Sequence, residues 1–537
     1  MSDNSNSKNL ISRRDLLAMI GKVAGGSAMY GAMHTLGFAA ESSYTGPIKL
    51  EGAPKGTTVL VLGAGLAGLV SALELRNAGY QVKVLEYNKR AGGRAWTLRG
   101  GDEYTEMGGA TQKCEFDKGL YVNPGPWRIP THHHGILDYA RRFQVPLEPF
   151  IQVNYNALLH STTAFGGVPQ RYRHVRADYA GHVTELLSKA VNANHLDDVV
   201  SKEDKEKLIE SLREWGALDK DSRYNASWYT SRRRGFEVPM GGGLMPGPVP
   251  SKPMPLHDIL QSGLWQALAQ GEEQDHHANI FQPVGGMDRI AQAIFREVAK
   301  LVTFNAKVTK IDQGPRGVTV TYAEGGAVRQ AKADWCVCTI PLSILSQMEI
   351  TVSQPMQAAI QAVPYEAAVK IGLQFKRRFW EQDESIYGGM SYTDTPISLI
   401  SYPSTDYGRP GKGVLLGAYI FGPNAYEFTS LAPKERVRLA VHYGSMVHPQ
   451  YLKEFDNGIA VGWHRAPFIN GCFANWPLGM REQHYKNLCA VDGRIVLAGE
   501  HASLLFAWQE GAVLSALDAI KRLHEKIKAT AGGVRPS

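Results

Sequence analysis

Residues 57–86 read TTVLVLGAGLAGLVSALELRNAGYQVKVLE. An all-apolar run, Val59 to Leu62, leads into Gly63, Gly65 and Gly68 at the spacing G-x-G-x-x-G, and a helical pattern and a second short strand ending on Glu86 follow. The first glycine permits a tight turn, the second lets backbone approach a pyrophosphate, and the third lets helix and strand pack closely. The helix start, with Leu66 and Ala67, offers unpaired amides and a positive dipole to phosphate. Glu86 is placed to accept from ribose hydroxyls. A glycine triplet alone is weak evidence. Framed by strand, helix and acid it predicts a dinucleotide-binding βαβ unit.

The rest of the chain bounds what surrounds that unit. Its 537 residues allow two to four domains at ~150 residues each. Hydrophobic residues at 44% and charged residues at 20% give an ordinary globular core. A net charge of +7 is small for this length, and Arg232-Arg233-Arg234 has no interleaved aromatics. That run reads as a solvated face, and no nucleic-acid partner is expected. Near the N-terminus, Arg13 and Arg14 precede a mildly apolar stretch that reaches small residues at Ala39 and Ala40. Residues 1–40 therefore read as a twin-arginine signal, with a periplasmic or secreted destination. Lys22, His34 and five glycines interrupt the stretch, where a membrane anchor would need ~20 consecutive apolar residues. The five cysteines are odd in number and lack metal or redox spacing. Cys336 and Cys338 read as core residues of a buried strand.

Downstream, Val183, Leu186, Leu187 and Ala190, then Leu208, Ile209, Leu212 and Trp215, recur at helical spacing, and Ser201 with Asp204 resembles a capping box. Residues 237–255, rich in Gly and Pro, read as irregular chain, either a loop over a site or a plain connector. Residues 298–346 alternate like strands. GRIVLAGEHAS, residues 493–503, reads as a strand leading to a final helix striped by Leu514, Leu517, Ile520 and Leu523.

The glycine triplet does not distinguish NAD from FAD. KRAGGRAW, residues 89–96, adds Gly92, Gly93 and Arg94, whose cation can neutralise the phosphates of a long, extended dinucleotide. At the far end, Gly499 and Glu500 follow a strand, and a helix begins near Trp508 to Gly511. A helix N-terminus there would stabilise charge on a flavin. Two distant segments meeting on one dinucleotide point to FAD.

With these motifs, GLYVNPGPWRIP (residues 119–130), VGGMDRI, NAKVTKI, VKIGLQF, GGMSYTDTP with YPS, and AGEHASLLFAWQEGA, the chain from about Thr57 onward resembles the flavin amine oxidase superfamily, most closely its L-amino acid oxidases. The resemblance implies an α/β (α+β mixed) architecture. A Rossmann-like FAD-binding domain would be built from 51–113, 278–345 and 484–530. A mixed-sheet substrate domain would take 114–170 and 346–483, and a helical subdomain 171–277. Oxidative deamination of an L-amino acid would give the 2-oxo acid, ammonia and hydrogen peroxide. GPWRIP is the discriminating segment: its arginine, Arg128, is expected to grip the substrate carboxylate, and a guanidinium fork suits that task. A structural salt bridge is the plainer alternative for Arg128.

Further roles come from the resemblance. Tyr402 completes the carboxylate clamp, Lys370 holds a water near flavin N5, Trp508 forms an aromatic wall and the Ala507 carbonyl accepts from the substrate amine. Venom-type chains have Gly at position 507, and the interval between Gly93 and Gly125 is longer here than in them. Tyr87, Gly125, Pro126, Trp127, Val308, Gln509, Glu510, Gly511 and Ala512 join the FAD contacts. NGCFANWPLG places Cys472 where monoamine oxidases attach FAD covalently; polyamine oxidases lack that cysteine, and a non-covalent cofactor with a buried, unreactive thiol is expected. The rival activities are an L-amino acid 2-monooxygenase, an amine or polyamine oxidase, and a non-catalytic flavin-binding protein. A homodimer or higher homo-oligomer is expected.

THHHGILDYARRF, residues 131–143, follows Arg128 directly. Consecutive side chains at a helix start fan ~100° apart, so no metal is expected. The three histidines read as solvated neighbours, with Ile136, Leu137 and Tyr139 turned inward.

Overall fold

The computed structural model describes residues 42–195, 200–276 and 279–531. The twin-arginine segment lies outside them. Thr58–Leu62 (β1), Leu66–Asn77 (α1) and Gln81–Leu85 (β2) form the expected βαβ unit, with β1 and β2 parallel from Thr58↔Gln81 to Leu62↔Leu85. Trp335–Cys338 pairs parallel to β1 on its other side, and Ile495–Leu497 pairs parallel to that strand in turn. Val302–Thr303 flanks β2, and Val491–Asp492 closes the opposite edge, giving six strands. β1 is apolar from Val59 to Leu62 because a parallel sheet is covered on both faces. α1, Arg289–Val298 and Gln509–Ala531 pack on one of them. Lys307–Gly314, Gly317–Glu324 and Ala327–Ala333 form an antiparallel meander, joined by Glu349–Ile350, that leads back into Trp335–Cys338.

A second, seven-stranded mixed sheet runs in the order 455–462, 368–375, 413–421, 399–401, 390–393, 158–160 and 170–171. Its strand Ala368–Phe375 is buried at every position, so Lys370 enters the protein interior on an otherwise mostly apolar strand. Leu147–Phe150 pairs antiparallel with Ile280–Pro283, and Ile129 bridges Phe281. That pairing fixes the chain on the far side of Arg128.

Between strands 170–171 and 280–283 lie Tyr172–Asn192, Lys202–Gly216, Trp228–Arg234, Leu256–Ser262 and Trp265–Gln270, all helical. Ser201 caps the second of them, accepting from Asp204 N at 3.1 Å. The expected apolar stripe of this region is buried only in part: Leu212 is buried and Leu208 and Ile209 are half-buried. Val183, Leu186, Leu187 and Trp215 are exposed, while Tyr172, Val175, Asp178, Gly181, Thr184, Ser188 and Val191 face inward. A buried ion pair, Asp178 with Arg234, takes the place that hydrophobic periodicity assigns to leucines. The 237–255 stretch is not wholly irregular: Phe236–Val238 pairs with Val249–Pro250 as a short ribbon.

Candidate active site

The glycine turn sets the floor of a large cavity. Gly63 has φ +101°, and a Cβ there would meet Thr339 Oγ1 at 2.6 Å; at Gly68 it would stand 1.9 Å from the carbonyl oxygen of Gly63. Both positions therefore exclude a side chain. Gly65 is different: nothing lies closer to its would-be Cβ than the Gly93 Cα at 4.0 Å, so its backbone borders open space. Glu86 directly follows β2, with Oε2 accepting from Ala64 N at 2.6 Å and Oε1 from Asn88 N at 2.8 Å.

From this floor the cavity extends as about 1700 Å³ of space free of protein atoms, part of it open to solvent. Gly63, Gly65, Leu66, Ala67, Glu86, Tyr87, Gly93, Arg94 and Val308 line one end; Gly125, Pro126, Trp127, Arg128, Gly499, Glu500, Trp508, Gln509 and Ala512 line the remainder. Arg94 joins the distant segments: its Nη1 donates to Glu500 Oε1 at 2.7 Å and to the Cys472 carbonyl at 2.8 Å. Gly125 fits only as glycine, since a Cβ would stand 1.9 Å from the Arg94 carbonyl oxygen. Both amide atoms of Gln509 are buried without a hydrogen-bond partner. A long cleft with a glycine-lined floor and orphaned polar groups fits an extended dinucleotide, which would supply those partners.

Three residues expected at the cofactor do not line this space. Gly68 packs α1 against β1, and Gly511 packs its helix on the Leu505 carbonyl, 1.9 Å from where a Cβ would be. Glu510 turns the other way: its carboxylate accepts from Gly135 N at 2.9 Å and Ile136 N at 2.7 Å. It thereby caps helix His134–Arg142 and satisfies two of its orphan amides.

The aromatic end of the cavity is built around Arg128. Its guanidinium is buried, lies 5.1 Å from the Trp127 ring centre and 5.4 Å from that of Trp508, and donates through Nη2 to His276 Nε2 at 2.8 Å. A guanidinium only donates, so His276 Nε2 accepts. His276 Nδ1 then donates to the Gln270 carbonyl at 2.8 Å. Lys370 Nζ donates to the Gly125 carbonyl at 2.5 Å and sits 4.2 and 4.4 Å from the rings of Tyr419 and Trp127. Burial, helped by the Arg128 charge, lowers its pKa to about 7 against a smaller opposite pull from Cys472. Burial likewise pushes the Cys472 thiol up to about 12, which keeps it protonated and a poor nucleophile. Ala507 carries φ +68°, the left-handed backbone that glycine adopts without strain.

Tyr402 is not brought to this cavity. Its hydroxyl lies 2.6 Å from Ser391 Oγ and 2.5 Å from His448 Nε2, inside the core of the second sheet. It borders instead a smaller cavity with Ser401, Pro403 and Arg378. Tyr419, Trp463, Phe473 and Thr339 line the main cavity without having been singled out in sequence. They come from separate strands and loops, so no local spacing marks them.

The histidines are not solvated as expected. Only His134 is exposed. His133 is 1% exposed, stacks edge-on against Trp508 at 4.9 Å, and has its pKa lowered to about 3, chiefly by burial and then by the nearby His132, His134 and Arg128. His132 Nε2 lies 2.7 Å from Asp275 Oδ1.

The profile of the flavin containing amine oxidoreductase family matches residues 66–523. YobN of Bacillus subtilis (strain 168) is 29% identical over 479 residues, 86% of this chain and 93% of that protein. The L-amino-acid oxidase of Vipera ammodytes ammodytes is 29% identical over 485 residues, covering 87% and 92%; that of Siganus canaliculatus is 27% identical over 480, covering 87% and 85%. Among solved structures, cyclohexylamine oxidase from Brevibacterium oxydans IH-35A superposes with TM-score 0.58 at 16% identity, over 88% of this chain and 100% of that one. Wild-type putrescine oxidase bound to putrescine gives 0.56 at 16%, over 88% and 99%.

Proposed function

The chain belongs to the flavin-containing amine oxidoreductase family, and from that premise we propose that it is an FAD-dependent L-amino acid oxidase. It would convert an L-amino acid to the 2-oxo acid with release of ammonia and hydrogen peroxide. The observation that carries this reading is Arg128: a buried guanidinium at the aromatic end of the cavity. A simple amine has nothing for that charge to hold. An amino acid has a carboxylate beside the carbon to be oxidised, and a fork of N–H donors fixes its orientation.

Bound FAD supplies a hydride acceptor that O₂ regenerates. The protein supplies position and environment. Arg128 holds the carboxylate once His276 yields Nη2. Trp127, Tyr419 and Trp508 exclude water from the reacting end, and orientation of this kind accounts for much of the rate. The Ala507 carbonyl accepts from the substrate amine. Lys370, neutral above about pH 7, holds a water or its proton at Nζ. Tyr402 has no part in the clamp, because its hydroxyl is engaged elsewhere. The raised thiol pKa of Cys472 supports a non-covalent cofactor.

Anaerobic bleaching of the flavin by the twenty amino acids and by their decarboxylated amines tests this. At least one amino acid should bleach where its amine does not, and equal bleaching by both would make it an amine oxidase. Product analysis separates the oxidase, giving 2-oxo acid and peroxide, from a 2-monooxygenase, giving an amide. Arg128→Ala should raise KM for amino acids by roughly 10–100-fold, as for loss of a charged hydrogen bond, with FAD still bound.

Two coarser features complete the proposal. Among the described residues no helix is long and apolar enough to cross a membrane, and Arg13-Arg14 supports export by the twin-arginine route. Replacing that pair by Lys-Lys should retain the protein in the cytoplasm. Self-association into a homo-oligomer is checked by sedimentation.

A further inference from the structure

Helix His134–Arg142 begins with a turn that sends His132 and His133 toward the same place, with ring centroids 4.8 Å apart and planes at 84°. Asp275 reaches that place from the turn Gln274–His276. Its Oδ1 lies 2.7 Å from His132 Nε2 and 3.8 Å from His133 Nε2. Asp275 is 0% exposed and His133 is 1% exposed. Asp275 Oδ2 and His133 Nε2 are both buried with no hydrogen-bond partner. A buried carboxylate oxygen and an imidazole nitrogen left unpaired side by side are costly, so the pocket is built for something that binds both.

We propose that His132, His133 and Asp275 form a site for a divalent transition-metal ion of the zinc class. The donor atoms of the three lie within 4.8 Å of one another. Zinc takes imidazole nitrogen and carboxylate oxygen at about 2.0–2.2 Å, which sets tetrahedral donors ~3.3 Å apart; the observed 2.7 and 3.8 Å straddle that value. Two imidazoles with one carboxylate favour zinc, nickel or copper(II) over magnesium or calcium, which prefer oxygen. To ligate through Nε2, His132 carries its proton on Nδ1. The Asp275 carboxylate offsets half of the incoming charge, and Trp508, against which both His133 and Arg128 pack, stands beside the site. Water fills the remaining position. The ion ties the 274–276 turn, and with it His276, to the start of the helix behind Arg128.

The test uses the FAD-loaded enzyme, stripped with chelator and titrated with zinc chloride by calorimetry, with metal content measured after desalting. One equivalent per chain should bind, and Tm should rise with zinc. Asp275→Asn and His132→Ala should each weaken binding at least tenfold and abolish the Tm rise, while His134→Ala, at the exposed neighbour, leaves both unchanged. An unaltered flavin spectrum and circular dichroism establish that each variant is folded. Absence of stoichiometric binding, or equal affinity in the wild type and the Asp275→Asn and His132→Ala variants, would overturn the proposal.

Discussion

Lys370 shows how surroundings rewrite a residue's chemistry. A lysine free in water titrates near 10.4; here burial brings it to about 7. The unfolded chain therefore binds a proton between about pH 7 and 10 that the folded chain does not, and stability rises with pH across that window. Denaturant midpoints should accordingly climb from pH 6.5 to 9.5 more steeply in the wild type than in Lys370→Met; parallel profiles would show that the amine stays charged. That Arg128 belongs to the cavity wall was legible in the sequence because a rigid Pro-Gly-Trp setting isolates one cation. Tyr402 was not, because it adjoins strand Leu399–Ser401, where neighbouring side chains face opposite ways and sequence does not tell which face meets the cavity. The buried pairing of His132 and His133 was hidden for a different reason: Asp275 arrives from a remote turn, which local spacing does not reveal.

At the scale of elements, the βαβ unit was readable because each glycine has a local cause. Gly68→Ala should force α1 off β1, since its Cβ would stand 1.9 Å from the Gly63 carbonyl oxygen. The expected result is loss of bound flavin, read as the absorbance ratio of flavin to protein. The exposed leucines of Tyr172–Asn192 mark where periodicity misleads: the ion pair of Asp178 with Arg234 lies inside, and the inward face mixes Tyr172, Val175 and Val191 with polar groups. Another such pair is open to a quantitative check. Arg436 holds Glu106 through two bonds of 2.7 Å, both side chains nearly fully buried. Arg436→Leu leaves a buried carboxylate and should cost about 3–5 kcal/mol. Adding Glu106→Leu should restore most of it, which a denaturation cycle measures.

At the scale of the whole molecule, the cavity belongs to no single stretch of chain. Its walls come from the glycine turn, the segment carrying Arg128, the buried strand with Lys370 and the loop before the final helix. The six-stranded sheet itself joins Thr58–Leu62 to Ile495–Leu497 through Trp335–Cys338. That arrangement sets a timetable for the newborn protein. At ~5–20 residues per second, roughly 20–90 s separate synthesis of the first of these strands from the last. Until then the glycine turn has emerged from the ribosome without the 499–512 wall of its cavity. Nascent chains are thus committed to a long wait with apolar strands exposed, and cofactor capture becomes an event that follows translation rather than accompanying it.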